Sequence, residues 1–363
     1  MMILDKPQFK MIKHPGYNLL FNKENGYTMR WGVTEDDDPD FSPLGPEIID
    51  MEISSAADND VNTNDPLHIV ADKGCAGPGC RKFCYKANKG DKSVHMSLNT
   101  FRNIMNRMPK TVCSIAFGVI SPIKRHPQIW EILADCRYTY DVVPNVTINE
   151  KLDDKTAIHL SALCGAVAVS VNPDNKEMAY DTISKLSIDN GMDQVNIHIV
   201  LSNSSVDFVK SVVDDISRDS RLLKLNALVM LSFKDKAKTA CMDPITSSYY
   251  REVIDYCTDA GINFGFDSCS AKCYLEAIKD HPQRERLEQY VEPCESMMFS
   301  AYIDVNAKLY ACLFLEGMNM WQDGVNVLDY DNFVDIWNSE KVQEWRKLLL
   351  STNRGCPEYR IGQ

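Results

Sequence analysis

A repeated alternation of short apolar runs with helix-forming stretches restricts this chain to few architectures. The runs are PLHIV (66–70), VCSIAFG (112–118), VVPNVTI (142–148), GAVAVSV (165–171), QVNIHIVL (194–201) and LNALVML (225–231). β-Branched runs of this length, bounded by polar residues, are typical of strands buried on both faces of a helix-covered parallel sheet. Six such units predict an α/β fold built on a partial (β/α)6 TIM-like barrel over 66–268, with FGF (264–266) as a further short strand. Residues 1–65 read as an N-terminal extension. It carries a β-hairpin over 17–33 around Glu24-Asn25-Gly26, an acidic loop from Glu35 to Asp38, and the polar linker DNDVNTND. Residues 269–363 break the rhythm and form a small C-terminal domain. Here FSAYIDV and KLYACLF pair around Asn306-Ala307, and an amphipathic helix follows with Phe333, Ile336, Trp337, Val342, Trp345 and Leu349 on its buried stripe.

With 363 residues the chain is long enough for one barrel-sized domain with extensions. Its net charge of −12 works against unspecific nucleic-acid binding, which depends on clustered Lys and Arg. No apolar run approaches the roughly 20 residues needed to span a bilayer, so no membrane association is expected. The N-terminus lacks the apolar core and small-residue cleavage site of a signal peptide. Thirteen cysteines, an odd number, therefore point to reduced thiols in the cytoplasm, some of them metal-bound. Cys113, Cys136, Cys164 and Cys257 lie in apolar or helical patterns and read as small buried residues.

The chemistry-bearing feature is the glycine-punctuated run KGCAGPGCRKFCYKAN, with Cys75, Cys80 and Cys84, set between an apolar run and the helix-like MSLNTFRNIMNRM. Three thiolates in such a loop suit a four-iron cluster with one open iron, at the C-terminal mouth of a β/α barrel. The same thiolates with His95 would also make a tetrahedral zinc site. Both readings stand on spacing alone.

Taken together, the loop, the β/α units and the terminal domain resemble the radical S-adenosylmethionine enzymes that carry a SPASM or twitch-type auxiliary-cluster domain. The resemblance covers about residues 66–360. That superfamily commonly has C-x3-C-x2-C followed by an aromatic. Here the loop is C-x4-C-x3-C, with Tyr85 in the aromatic position. SPASM-type domains begin with a cysteine, nine to fifteen residues, a glycine, four residues and a second cysteine. Cys294, Ala307 and Cys312 follow that pattern, with alanine in place of glycine. Only Cys356 stands beyond them, so the single-cluster, twitch-like form is the closer match. Its fourth thiolate is Cys269 or Cys273.

The resemblance implies a [4Fe-4S] cluster on Cys75, Cys80 and Cys84, and an auxiliary iron–sulfur cluster on Cys269, Cys294, Cys312 and Cys356. It further implies S-adenosylmethionine on the open iron and its reductive cleavage to a 5′-deoxyadenosyl radical, which abstracts a substrate hydrogen. By topology, Phe117 and Gly118 would offer backbone to the methionine amino group, and Ser170 and Asn172 would contact ribose or carboxylate. His198 is either a ligand contact or a satisfied core residue, as are Asn145 and Asn196. The implied partners are a cytosolic electron donor and a peptide or small-molecule substrate, with peptide or protein side-chain modification leading. Oxidation of a small metabolite, modification of a nucleoside or nucleic-acid base, and a non-enzymatic electron carrier are the other readings.

Overall fold

The computed structural model describes residues 2–6, 8–34, 36–57, 65–71, 73, 84–86, 92–236, 241–359 and 361. Among them the strands form three sheets, and the mixed α/β character expected from the sequence holds. The first sheet is antiparallel and four-stranded: β1 (Met2–Asp5), β2 (Phe9–His14), β3 (Tyr17–Asn22) and β4 (Thr28–Trp31). The expected hairpin is its β3–β4 pair, turned by Gly26 at φ 75°, a conformation that glycine adopts without a Cβ clash.

β5 (Ile48–Glu52) then starts the main sheet, and β6 (Ser54–Ala57), β7 (His68–Ala71) and β8 (Lys92–Met96) make a small antiparallel sheet in the order β6-β8-β7. After α1 (Leu98–Met105) the main sheet continues through β9 (Ser114–Gly118), β10 (Val143–Ile148), β11 (Ala166–Ser170), β12 (Val195–Leu201), β13 (Ala227–Ser232) and β14 (Phe264–Phe266). The intervening helices are α2 (Ile129–Ala134), α3 (Asp154–Leu163), α4 (Lys176–Ser184), α5 (Val206–Arg218) and α6 (Ser247–Asp259). Finally β15 (Ser300–Ile303) pairs parallel to β5 on its free side, and β16 (Lys308–Tyr310) and β17 (Val325–Asn326) follow antiparallel. The result is a ten-stranded, mostly parallel sheet.

Two expectations need correction. The run at 66–70 is not the first parallel strand: it lies in the small antiparallel sheet, and β5, read from sequence as part of the extension, takes that place. Nor are the strands buried on both faces. From β5 through β14 each strand is added on the same side of the last, and right-handed crossovers then put every helix on one face. That face is apolar and closed, with Ile49, Ile115, Val167, Ile197 and Leu228 fully buried. On the other face side chains are half-buried, as the alternation BiBiBiB along β12 records for Asn196, His198 and Val200. In chain order the cysteine loop still falls between β5 and α1, and its described residue Lys86 contacts Glu52 at the C-terminal end of β5.

The antiparallel N-terminal sheet covers the opposite end. Ile12, Tyr17, Leu19 and Phe21 pack with Cys113 and Val143, which sit where β9 and β10 begin. Buried Lys10 donates to the carbonyls of Val112 (2.9 Å) and Asp141 (3.2 Å). The Tyr17 hydroxyl donates to Glu47 Oε1 at 2.7 Å, and Arg30 donates to the other oxygen at 2.9 Å. A hydrogen bond to a charged partner contributes about 1.5–3 kcal/mol. Tyr17→Phe should therefore lower the urea-unfolding free energy by about 2 kcal/mol; an unchanged midpoint and slope would show that the bond contributes nothing.

The terminal stripe is buried as expected, but as two helices. Phe333–Trp337 ends before Ser339, the N-cap of Glu340–Ser351. Phe333, Ile336, Trp337, Val342 and Leu349 are fully buried, and Trp337 Nε1 donates to the Ser42 carbonyl at 2.7 Å.

Candidate metal centre

Of the first cysteine loop, Cys84, Tyr85 and Lys86 are described; Cys75 and Cys80 lie outside the described residues. Tyr85 packs its ring on Phe314, centroids 5.6 Å apart, and burial pushes its phenol well above the ordinary range. Lys86 sits in a network of groups from three parts of the chain. Its ammonium contacts Glu52 at the end of β5 (3.1 Å), donates to the Tyr302 hydroxyl of β15 (3.0 Å), and pairs with Glu316. Burial pushes the Glu52 carboxyl up to about 7, against the pull of Lys86. A polar cavity of about 350 Å³ opens here, lined among others by Glu52, His68, Lys86, Asn306 and Glu316.

A second group of sulfurs gathers beside it. Cys269 follows β14, Cys294 precedes β15, Cys312 follows β16 and Cys356 follows the last helix. They act on one another's ionisation: Cys269 feels Cys294 and Cys312, and both Cys294 and Cys312 feel Cys356. Burial, the largest effect, pushes Cys294 up to about 11 and Cys312 up to about 12. Nearby backbone N–H groups oppose it, that of Ser296 lowering Cys294 and those of Phe314 and Leu315 lowering Cys312. Tyr359 N–H donates to Cys356 Sγ at 3.3 Å. Cys273 stands apart, its thiol donating to the Ile361 carbonyl at 2.7 Å.

Among the described residues no three His, Cys, Asp or Glu side chains are drawn together tightly enough to hold a single metal ion. A polynuclear cluster asks for something different. Each thiolate binds a separate iron, so its sulfurs stand wider apart than around one tetrahedral zinc. Four half-buried thiols fit an iron–sulfur cluster in donor type and number.

Ala307 has an unusual backbone conformation. It sits at φ 61° in the β15–β16 turn, the left-handed region that glycine enters freely. Alanine is strained there, where glycine would not be.

The other expected site residues separate. Gly118 lies on the half-buried sheet face in register with Glu52, and its carbonyl accepts from Ile53 N–H at 3.0 Å. Phe117 does not face that side: its ring is buried in the helix-covered core, 6.1 Å from that of Phe101. Ser170 and His198 are register partners on the half-buried face. Burial brings the His198 imidazole down to about 4, so it is neutral at pH 7. Asn172 has a structural task that its strand-end position concealed: its side-chain oxygen accepts from Asp174 N–H at 2.9 Å, fixing the turn after β11. Asn145 likewise accepts from Ala166 N–H at 2.8 Å, and Asn196 from Asn226 at 2.8 Å.

His95, the alternative zinc ligand, is fully buried in β8, with Nδ1 2.8 Å from Ser54 Oγ and its ring 5.0 Å from that of His126. Burial first, then Arg125, brings His95 down to about 4; burial first, then His95, brings His126 down to about 3. Both values lie below the unfolded value of about 6.5, so the unfolded chain takes up protons first on acidification. The resulting stabilisation is full above about pH 6.5 and is lost as pH falls towards 3–4, with about 3 kcal/mol of the loss at pH 4 due to His95. Urea titrations at pH 7 and pH 4 should show this loss, and it should shrink in His126→Gln. An equal loss in that variant would assign it to other groups.

Sequence reasoning passed over Glu52, Lys86 and the buried pair Lys234–Asp267, whose side chains meet at 2.6 Å beside Cys269. A signal for Lys234 was present, since a lysine three residues beyond the strand run LNALVML lies at a C-terminal strand end. No helix among the described residues is long and apolar enough to cross a membrane. No protein-family description matches the chain, and no curated protein matches it in sequence.

Proposed function

We propose that this chain is a cytoplasmic radical S-adenosylmethionine enzyme with a twitch-type auxiliary site, acting on a peptide or protein side chain. The observation that supports it is the mutual influence of Cys269, Cys294, Cys312 and Cys356, together with the packing of Tyr85, next to Cys84, on Phe314, two residues beyond Cys312. In this reading the parallel strands curl into an incomplete β/α barrel, and their half-buried face is the reaction chamber. When bound, the cluster on the first loop supplies the electron that splits the sulfonium bond of S-adenosylmethionine, and the auxiliary cluster supplies a second electron site.

The chain's own residues do the positioning. Glu52, Glu316 and Tyr302 hold Lys86, and with it the Cys84 end of the loop, against the mouth. Gly118 keeps the wall beside Glu52 low. Ser170 and the neutral His198 offer hydrogen bonds without adding charge to a chamber that must exclude competing hydrogen donors. The N-terminal sheet closes the far end.

Anaerobically reconstituted protein with a strong reductant should form 5′-deoxyadenosine from S-adenosylmethionine at a slow basal rate. Substrate should raise that rate by ordering the site. A fully iron-loaded protein that neither binds S-adenosylmethionine nor forms 5′-deoxyadenosine would leave electron carriage as the function.

A further inference from the structure

Lys234 lies two residues beyond β13, its side chain 1% exposed. Its ammonium donates to Asp267 Oδ2 at 2.6 Å and to the Ser232 carbonyl at 3.0 Å, and sits 4.4 Å from the centre of the Phe314 ring. These contacts touch both arms of the thiol group. Asp267 begins the turn Ser268–Ser270 that carries Cys269, and Phe314 stands two residues beyond Cys312. A buried ion pair is a poor device for stability alone, since apolar residues would fill the same space at lower cost. Here the pair is placed between the two arms: through Asp267 the Lys234 ammonium is joined to the turn that holds Cys269, and it lies over the ring of Phe314, two residues beyond Cys312.

We propose that Lys234 is the positioning charge that sets the reduction potential of a cluster held by Cys269, Cys294, Cys312 and Cys356, with Asp267 as its counterweight. This rests on reading those four thiols as a cluster site. One-electron reduction adds a negative charge to the cluster, and a fixed cation beside one of its sulfurs favours the reduced form. The electron comes from an external one-electron donor; no bond forms or breaks.

The test is a redox titration of anaerobically loaded full-length protein, followed by electron paramagnetic resonance with dithionite as reductant. The auxiliary signal is the one retained in Cys84→Ala. Lys234→Gln, which keeps a donor for Asp267, should shift the reduction equilibrium about tenfold towards the oxidised form, about 59 mV downward. Asp267→Asn should shift it upward. Opposite signs are the signature of charge, since loosened packing would not reverse direction between the two. Unmoved potentials, or shifts of one sign, in fully loaded variants overturn the role of Lys234. Should Lys234→Gln load poorly, Lys234→Arg decides: the wild-type potential supports the proposal, and a downward shift overturns it. A Cys84→Ala protein that folds but holds no iron overturns the cluster reading as well.

Discussion

Replacing Cys84 with alanine should abolish formation of 5′-deoxyadenosine, whereas replacing Cys312 should leave part of the uncoupled cleavage and mainly remove substrate conversion. The asymmetry follows from the two cysteine groups. Three thiolates in one loop leave a coordination position open to the nucleotide cofactor, while four thiolates leave none, so only the first group can act on S-adenosylmethionine directly. Changing Cys75, Cys80 and Cys84 together should cost about four irons per chain, the content of one such cluster. Iron and sulfide analysis, with chromatographic measurement of 5′-deoxyadenosine, checks both statements. Native protein whose metal is zinc at full occupancy would overturn the assignment. So would cleavage that survives in Cys84→Ala.

Much of the fold was legible because parallel strands leave a strong local trace. The runs at 112–118, 142–148, 165–171, 194–201 and 225–231 were found because their helix-facing residues are β-branched or long apolar side chains. β5 escaped notice for the converse reason. Ile-Ile-Asp-Met-Glu places Asp50 and Glu52 on the half-buried face, and an alternating strand with two acids looks like a surface strand until one face of the sheet is known to be open. The run at 66–70 misled in the opposite way. It is apolar and stands beside the cysteine loop, yet its neighbours are β8 and, through it, β6, a pairing that nothing local specifies. The terminal stripe was read correctly in its buried residues but not in its break, since Asn338-Ser339 ends one helix and caps the next without disturbing the apolar spacing. The thiol group was legible only in part: Cys294 and Cys312 share a pattern, whereas Cys269 and Cys356 join them through tertiary folding alone.

The choice between Cys269 and Cys273 gives the second large effect. Cys269 follows β14 in a turn tied down by Asp267 and Ser270, with its sulfur in the field of Cys294, Cys312 and Lys234. Cys273, one helical turn further on, is buried and gives its thiol hydrogen to the Ile361 carbonyl. In a protein lacking the first three cysteines, Cys269→Ala should therefore remove most of the remaining iron, about four per chain, while Cys273→Ala should retain it. Because a metal bound only by the folded state stabilises that state, loss of Cys269 or Cys356 should also make the terminal segment sensitive to chelators and proteolysis, an effect that Cys273→Ala should lack. Iron retained in Cys269→Ala and lost in Cys273→Ala would exchange the two residues. Full iron in both would mean that neither thiol is a ligand.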